Sequence, residues 1–204
     1  MNTKLAIQCG ELISKAYLEK SIKSSEGLYA KPAGIDAPIE KFGSITKTDI
    51  GIVIALAGTT TIHDWESNAN LRTIPYIIDG CEITEGVVDL AIQIESQILK
   101  TMQVNLPVYI AGHSLGAAIA ETIYLRNQRL FAACYSFAAP KSRTVGLTPF
   151  QLYRIFNTKD VVPELPPFMK LTHSGIDIPL TFDHGNIIDN HKIDNYVTAL
   201  TANY

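Results

Sequence analysis

The sequence predicts an α/β fold in which helices flank a mainly parallel central sheet. Three observations carry that prediction: apolar runs of strand length, helical stripes lying between them, and a Gly-x-Ser-x-Gly segment that joins a strand to a helix. A parallel strand buried on both faces loses the alternation of a half-exposed one and reads as a continuous apolar run.

The elements follow in order. From Thr3 to Ile22, apolar positions at Leu5, Ala6, Cys9, Leu12, Ile13, Ala16, Tyr17 and Leu18 make a helical stripe that ends near Ser24 to Gly27. Between Gly27 and Lys47, Pro32, Gly34, Pro38 and Gly43 punctuate the chain, which reads as irregular with short strands. Asp49 to Ala57 is a central strand closed by Gly58-Thr59-Thr60-Thr61. Val87, Leu90, Ala91, Ile94, Ile98 and Met102 recur at helical spacing, so a long helix spans Thr84 to Met102, with Glu85 suited to its first turn. The strand through Leu106 to Gly112 then enters the serine segment, and Ala117, Ala118, Ile119 and Ala120 suit a helix packed closely on a sheet. Phe131 to Ala138 and Leu152 to Phe156 are two further apolar strands.

The 204 residues fit one domain, spanning 1–204, with enough chain for a substantial core. A formal charge of −3, with no basic cluster, argues against a nucleic-acid partner. No apolar run is long enough to span a bilayer. The first ten residues lack a secretory h-region, which favours a cytoplasmic or non-classically released protein, or a secreted one whose signal peptide has been cropped. Cys9, Cys81 and Cys134 are odd in number and lack metal-ligand spacing, so free thiols are expected, with neither metal nor cofactor.

Gly112-His113-Ser114-Leu115-Gly116 is the feature that carries chemistry. Flanking glycines let strand and helix approach while the serine hydroxyl is presented on a sharp turn, and the Leu115 amide at the helix start can face an oxyanion. A serine hydroxyl needs a base, and the base needs an orienting group. His113 lies inside the motif beside the nucleophile, and His63 lies upstream. The chain order serine, acid, histidine leaves His173, His184 and His191. For the acid, Asp160 stands just beyond the strand ending in Asn157, with Asp177 and Asp183 as alternatives.

Several separated segments resemble the class 3 (fungal-type) lipases of the α/β-hydrolase superfamily. Besides the serine segment these are Leu56-Ala57-Gly58-Thr59, Asp64-Trp65-Glu66-Ser67-Asn68, Gly86-Val87, Tyr153-Arg154-Ile155-Phe156-Asn157 and Asp160-Val161-Val162-Pro163-Glu164-Leu165-Pro166-Pro167. The family's C-terminal histidine, with a tyrosine five residues on, is matched by His191 and Tyr196. The similarity covers most of residues 50 to 200 and implies an α/β-hydrolase fold, a Ser114–Asp160–His191 triad and an oxyanion hole of Thr59 and Leu115. His184 is the alternative base, and His173 matches a non-catalytic position. Ala57 replaces the family's usual arginine and Ala117 a frequent second glycine; neither change removes a catalytic atom.

The resemblance implies a lid from Thr61 through Trp65 toward Leu71. Leu71, Ile74, Pro75, Tyr76, Ile77 and Ile78, together with Val161, Val162, Leu165, Pro166, Pro167, Phe168 and Met169, are candidates for an acyl groove. An acylglycerol or other ester substrate and transient contact with a lipid interface are the partners expected. Phospholipase A-type hydrolysis, acyl transfer and a catalytically silent binding module are the alternatives.

Overall fold

In a computed structural model of the protein, residues 1–21, 26–32, 38–58, 72–75, 80–102 and 105–202 are described. The chain runs α1 (Thr3–Leu18), β1 (Gly27–Ala30), β2 (Glu40–Thr48), β3 (Gly51–Leu56), β4 (Thr73–Pro75), β5 (Glu82–Thr84), α2 (Glu85–Thr101), β6 (Val108–His113) and α3 (Leu115–Arg126). It continues through β7 (Ala133–Phe137), β8 (Leu152–Asn157), a 3₁₀ turn (Val162–Glu164), β9 (Ile176–Leu180), α4 (Ile187–His191) and α5 (Ile193–Ala202). Seven strands form one sheet in the order β1-β2-β3-β6-β7-β8-β9, while β4 and β5 pair separately. The pairs from β3 to β9 are parallel, and β1-β2 and β2-β3 are antiparallel. The fold is that of an α/β hydrolase.

Side chains alternate across the continuous apolar runs. Ile52, Ile54 and Leu56 of β3 and Val108 and Ile110 of β6 meet the α2–α3 layer, whereas Val53, Ala55 and Ala111 meet α1 and α5. The Asn2 side chain caps α1 by accepting from the Leu5 amide at 3.1 Å. All three cysteines are free and buried. No helix among the described residues is long and apolar enough to cross a membrane.

The structure departs from the sequence expectations in three places. The first helix closes at Leu18, where the Glu19 amide bonds back to Lys15 and Tyr17, short of Ile22. The stretch read as irregular with short strands holds the short β1 and a longer strand than expected, β2, of 9 residues, which pairs with β3 from Gly43 to Thr48; its polar residues mask the pattern, and one of them, Lys41, is buried with its ammonium 3.4 Å from Glu19. β9 was not expected. Pro179 lies within it, which is compatible with a strand at the sheet edge.

A buried ion pair ties α3 to the chain beyond β7. Arg143 Nη2 lies 2.8 Å from Glu121 Oε2, and the Ser136 hydroxyl donates to the other Glu121 oxygen at 2.5 Å. Burial pushes the Glu121 carboxyl upward and the Arg143 guanidinium pulls it back. Removing one partner strands the other charge, so Glu121→Ala is expected to lower stability by about 3–5 kcal/mol. Lys15→Ala, which breaks an exposed pair with Glu19 at 3.7 Å, should change it by under about 0.5 kcal/mol. Urea unfolding of the two variants checks the contrast.

Candidate active site

The parallel strands all end on one side of the sheet, and the site residues gather there. Ser114 stands between β6 and α3 with φ 58° and ψ −129°, a conformation rare for a residue with a side chain. A Cβ on Gly112 would lie 2.2 Å from the Gly116 carbonyl oxygen, and one on Gly116 would lie 2.6 Å from that of Leu56. Larger residues at either place would push α3 away from the sheet. The turn is pinned by the Ser114 amide donating to Phe137 O at 3.0 Å. Leu115 is the first helical residue, so its amide has no intrahelical acceptor and lies at the positive end of the helix dipole.

Asp160 follows β8 and is buried. Its Oδ1 accepts from the Val162 amide at 2.9 Å, and its Oδ2 accepts from His191 Nδ1 and from the Tyr196 hydroxyl, each at 2.7 Å. Tyr196, on α5, also accepts from the Asn157 amide at 3.0 Å. Burial raises the Tyr196 phenol well above its usual range, with the Asp160 carboxylate adding to the effect. With Nδ1–H committed to Asp160, Nε2 is the His191 nitrogen left to take a proton. The His191 ring packs on that of His113, their centroids 4.6 Å apart. Among the described residues the Ser114 hydroxyl has no hydrogen-bond partner; such contacts commonly tighten only when substrate is bound.

The remaining candidates are placed elsewhere. His184 is exposed, its ring against Phe182 and its amide donating to Asn190 Oδ1. Asp177 pairs with Arg154 through two bonds of 2.7 and 2.9 Å, and Asp183 accepts from the Gly185 amide and the Asn190 side chain. His173 Nε2 donates to Pro163 O at 2.8 Å, and burial, aided by the Arg154 charge, lowers its pKa to about 4. Thr59, His63 and the lid stretch from Thr61 to Leu71 lie outside the described residues. So do Tyr76, Ile77 and Ile78 of the expected groove. Gly58, one residue before Thr59, is described, and a Cβ there would lie 2.8 Å from Ser114 Cβ.

One expectation for the groove is corrected: Val162 is buried and fills the interior, while Ile74 and Leu165 are half-buried and pack against the core. Val161 and Phe168, at 42% and 99% exposure, face solvent, as does Pro167. Sequence reasoning also placed Tyr17 only in the core stripe of α1, whereas its hydroxyl reaches His113. Nothing in a helical stripe distinguishes a tyrosine whose ring packs from one whose hydroxyl also bonds to a residue 96 positions away.

A strand–serine–helix turn beside a buried Asp–His pair, at the carboxyl ends of a mostly parallel sheet, is the architecture of a serine α/β hydrolase. The profile described as Lipase (class 3) matches residues 53–170, and the chain belongs to that family. It is 27% identical over 138 residues to a secreted mono- and diacylglycerol lipase A of Penicillium cyclopium, covering 60% of this chain and 45% of that protein. A secreted mono- and diacylglycerol lipase 1 of Fusarium solani is 25% identical over 150 residues, covering 61% and 45% respectively. The chain thus spans about half the length of these curated relatives. Among solved structures, a mono- and diacylglycerol lipase from Aspergillus oryzae superposes with TM-score 0.71 at 21% identity, covering 94% of this chain and 84% of that one.

Two of the histidines are held neutral by the fold. Burial drives the His113 pKa well below the ordinary value of 6.5, and the repulsion of His191 adds to it. His173 is lowered from the same value to about 4. Below 6.5 the unfolded chain takes up protons that the folded protein refuses, so stability should be complete above pH 6.5 and fall as the pH drops toward 4. Urea midpoints at pH 7, 6 and 5 test this. His173→Gln should flatten the decline, and an unchanged slope would contradict the assignment.

Proposed function

We propose that the chain is a serine carboxylester hydrolase of lipase type, acting on acyl esters of glycerol through Ser114, His191 and Asp160. Ser114 Oγ bonds to the ester carbonyl carbon, the carbonyl π pair moves to oxygen, and the hydroxyl proton passes to His191 Nε2. Collapse of the tetrahedral intermediate breaks the ester C–O bond, and the departing alkoxide takes that proton. Water then attacks the acyl-enzyme in the same way, freeing the carboxylic acid and restoring Ser114. Asp160 keeps Nδ1–H in place and stabilises the imidazolium. The amides of Leu115 and Thr59 are assigned to the oxyanion.

The observation that carries this reading is the 2.7 Å bond from His191 Nδ1 to a buried Asp160 carboxylate, with the His191 ring packed on His113, the residue before a serine strained to φ 58°. The relatives' names, mono- and diacylglycerol lipases, support a glycerol ester as the substrate. Exposed Val161, next to Asp160 in the chain, and exposed Phe168 further along the same loop support an apolar acyl chain.

Ser114→Ala is expected to lower ester turnover by roughly 10⁶-fold, the scale of losing a triad nucleophile, and to abolish labelling by a fluorophosphonate probe while circular dichroism is unchanged. Retained labelling would reject Ser114. His191→Ala should be inactive in the p-nitrophenyl ester assay and His184→Ala close to wild type; the reverse pattern would move the base to His184.

A further inference from the structure

Three hydrogen bonds join separate parts of the site into one chain. The Gly58 amide donates to the Tyr17 hydroxyl at 2.8 Å, that hydroxyl lies 2.8 Å from His113 Nδ1, and His113 Nε2 lies 2.7 Å from the His191 carbonyl oxygen. The direction of each bond is determined by its ends. A carbonyl oxygen only accepts, so Nε2 carries the proton. Burial keeps the imidazole neutral, so Nδ1 is bare and accepts from the Tyr17 O–H. An oxygen lone pair on Tyr17 is then left for the Gly58 N–H, and every donor has its acceptor.

We infer that Tyr17 and His113 are positioning residues for the proposed reaction, locking the chain leading into Thr59 and the backbone of His191 to the residue preceding Ser114. The inference rests on the reading of Ser114, His191 and Asp160 given above. Gly58 is in tight contact with its neighbours: a Cβ there would lie 2.8 Å from Ser114 Cβ and 3.0 Å from the Tyr17 oxygen. The Tyr17 hydroxyl therefore sets where the peptide before Thr59 meets the nucleophile. At the other end, His113 holds the carbonyl of the very residue whose ring acts as base.

The uncharged state of His113 matters as much as its bonds. His191 becomes cationic when it takes the serine proton, and the His113 ring lies 4.6 Å away at a tilt of 38°. A second cation there would oppose that step. Protonation at Nδ1 would also turn the Tyr17 bond around, making Tyr17 accept from both His113 and Gly58 and leaving its own hydrogen to find a new acceptor. The bond network and burial thus act together to keep the ring beside the base neutral.

The test uses Tyr17→Phe, His113→Gln and His113→Asn in the full chain, with kcat, KM and pH profile measured on a soluble p-nitrophenyl ester. Glutamine can keep the donor to the His191 carbonyl while removing the acceptor for Tyr17; asparagine can keep that acceptor while removing the donor. Misplacement of reacting groups by an ångström can cost 10²-fold, so Tyr17→Phe should lower kcat about 10–100-fold with KM within about threefold of wild type. The double variant Tyr17→Phe/His113→Gln should be no worse than the poorer single, since both cut the same link. His113→Asn should shift the acidic limb of the kcat profile, which reports the base. Unchanged kcat in folded Tyr17→Phe, or fully multiplicative losses in the double variant, would overturn the inference. If Tyr17→Phe does not fold, the two His113 variants decide: matching wild-type kcat and pH profile overturns it, and their separate defects sustain it. Wild-type protein that neither turns over ester nor labels at Ser114 would instead sink the underlying reading of the site.

Discussion

The backbone at Ser114, at φ 58° and ψ −129°, is a conformation that costs a residue with a side chain of order 1–3 kcal/mol and persists only where its surroundings over-determine it. Those surroundings are specific. Gly112 and Gly116 bring β6 and α3 to backbone contact, Phe137 O holds the Ser114 amide, and α3 is anchored through Glu121 to Arg143 and Ser136. If α3 moved outward, the turn would relax and the hydroxyl would lose its aim. Small residues follow the turn, Gly116, Ala117, Ala118 and Ala120, and all are buried, as suits a helix packed closely on every side.

Around that turn the site is assembled from parts that are remote in the chain but fixed to neighbouring strand ends. Asp160 follows β8, His191 closes α4, Gly58 follows β3, and Tyr17 comes from the last turn of α1. The parallel strands deliver the chain after β3 and β8 to the side of the sheet where Ser114 stands, and the helices carrying Tyr17 and His191 reach the same side. Burial is the shared electrostatic constraint. It raises the Tyr17 and Tyr196 phenols and lowers His113, so the groups surrounding the Asp160–His191 pair stay neutral. Charge is then concentrated where proton transfer would use it.

Much of this was legible in the residues because the signals are local. Continuous apolar runs marked β3, β6, β7 and β8, the stripe from Val87 to Ile98 marked α2, and two glycines about a serine marked the turn. What was obscured depended on pairing. β2 reads as polar although Lys41 is buried beside Glu19, and β9 contains a proline that only an edge position tolerates. Val162 and Leu165 have the composition of a substrate groove, yet whether an apolar side chain lines a groove or fills the core depends on which neighbours cover it.

By itself, then, the sequence determined the α/β architecture and the strand–serine–helix turn, since both follow from side-chain period and from glycines at fixed offsets. The order of Ser114, Asp160 and His191 along the chain was also readable. Only the tertiary structure decided that the carboxylate meeting His191 is Asp160, with Asp177 turned to Arg154 and His184 left exposed. It alone decided that His113 bridges Tyr17 and the His191 carbonyl. The physical reason is that hydrogen bonds spanning 78 and 96 residues leave no trace in local periodicity; they exist only once the sheet has brought its strand ends together.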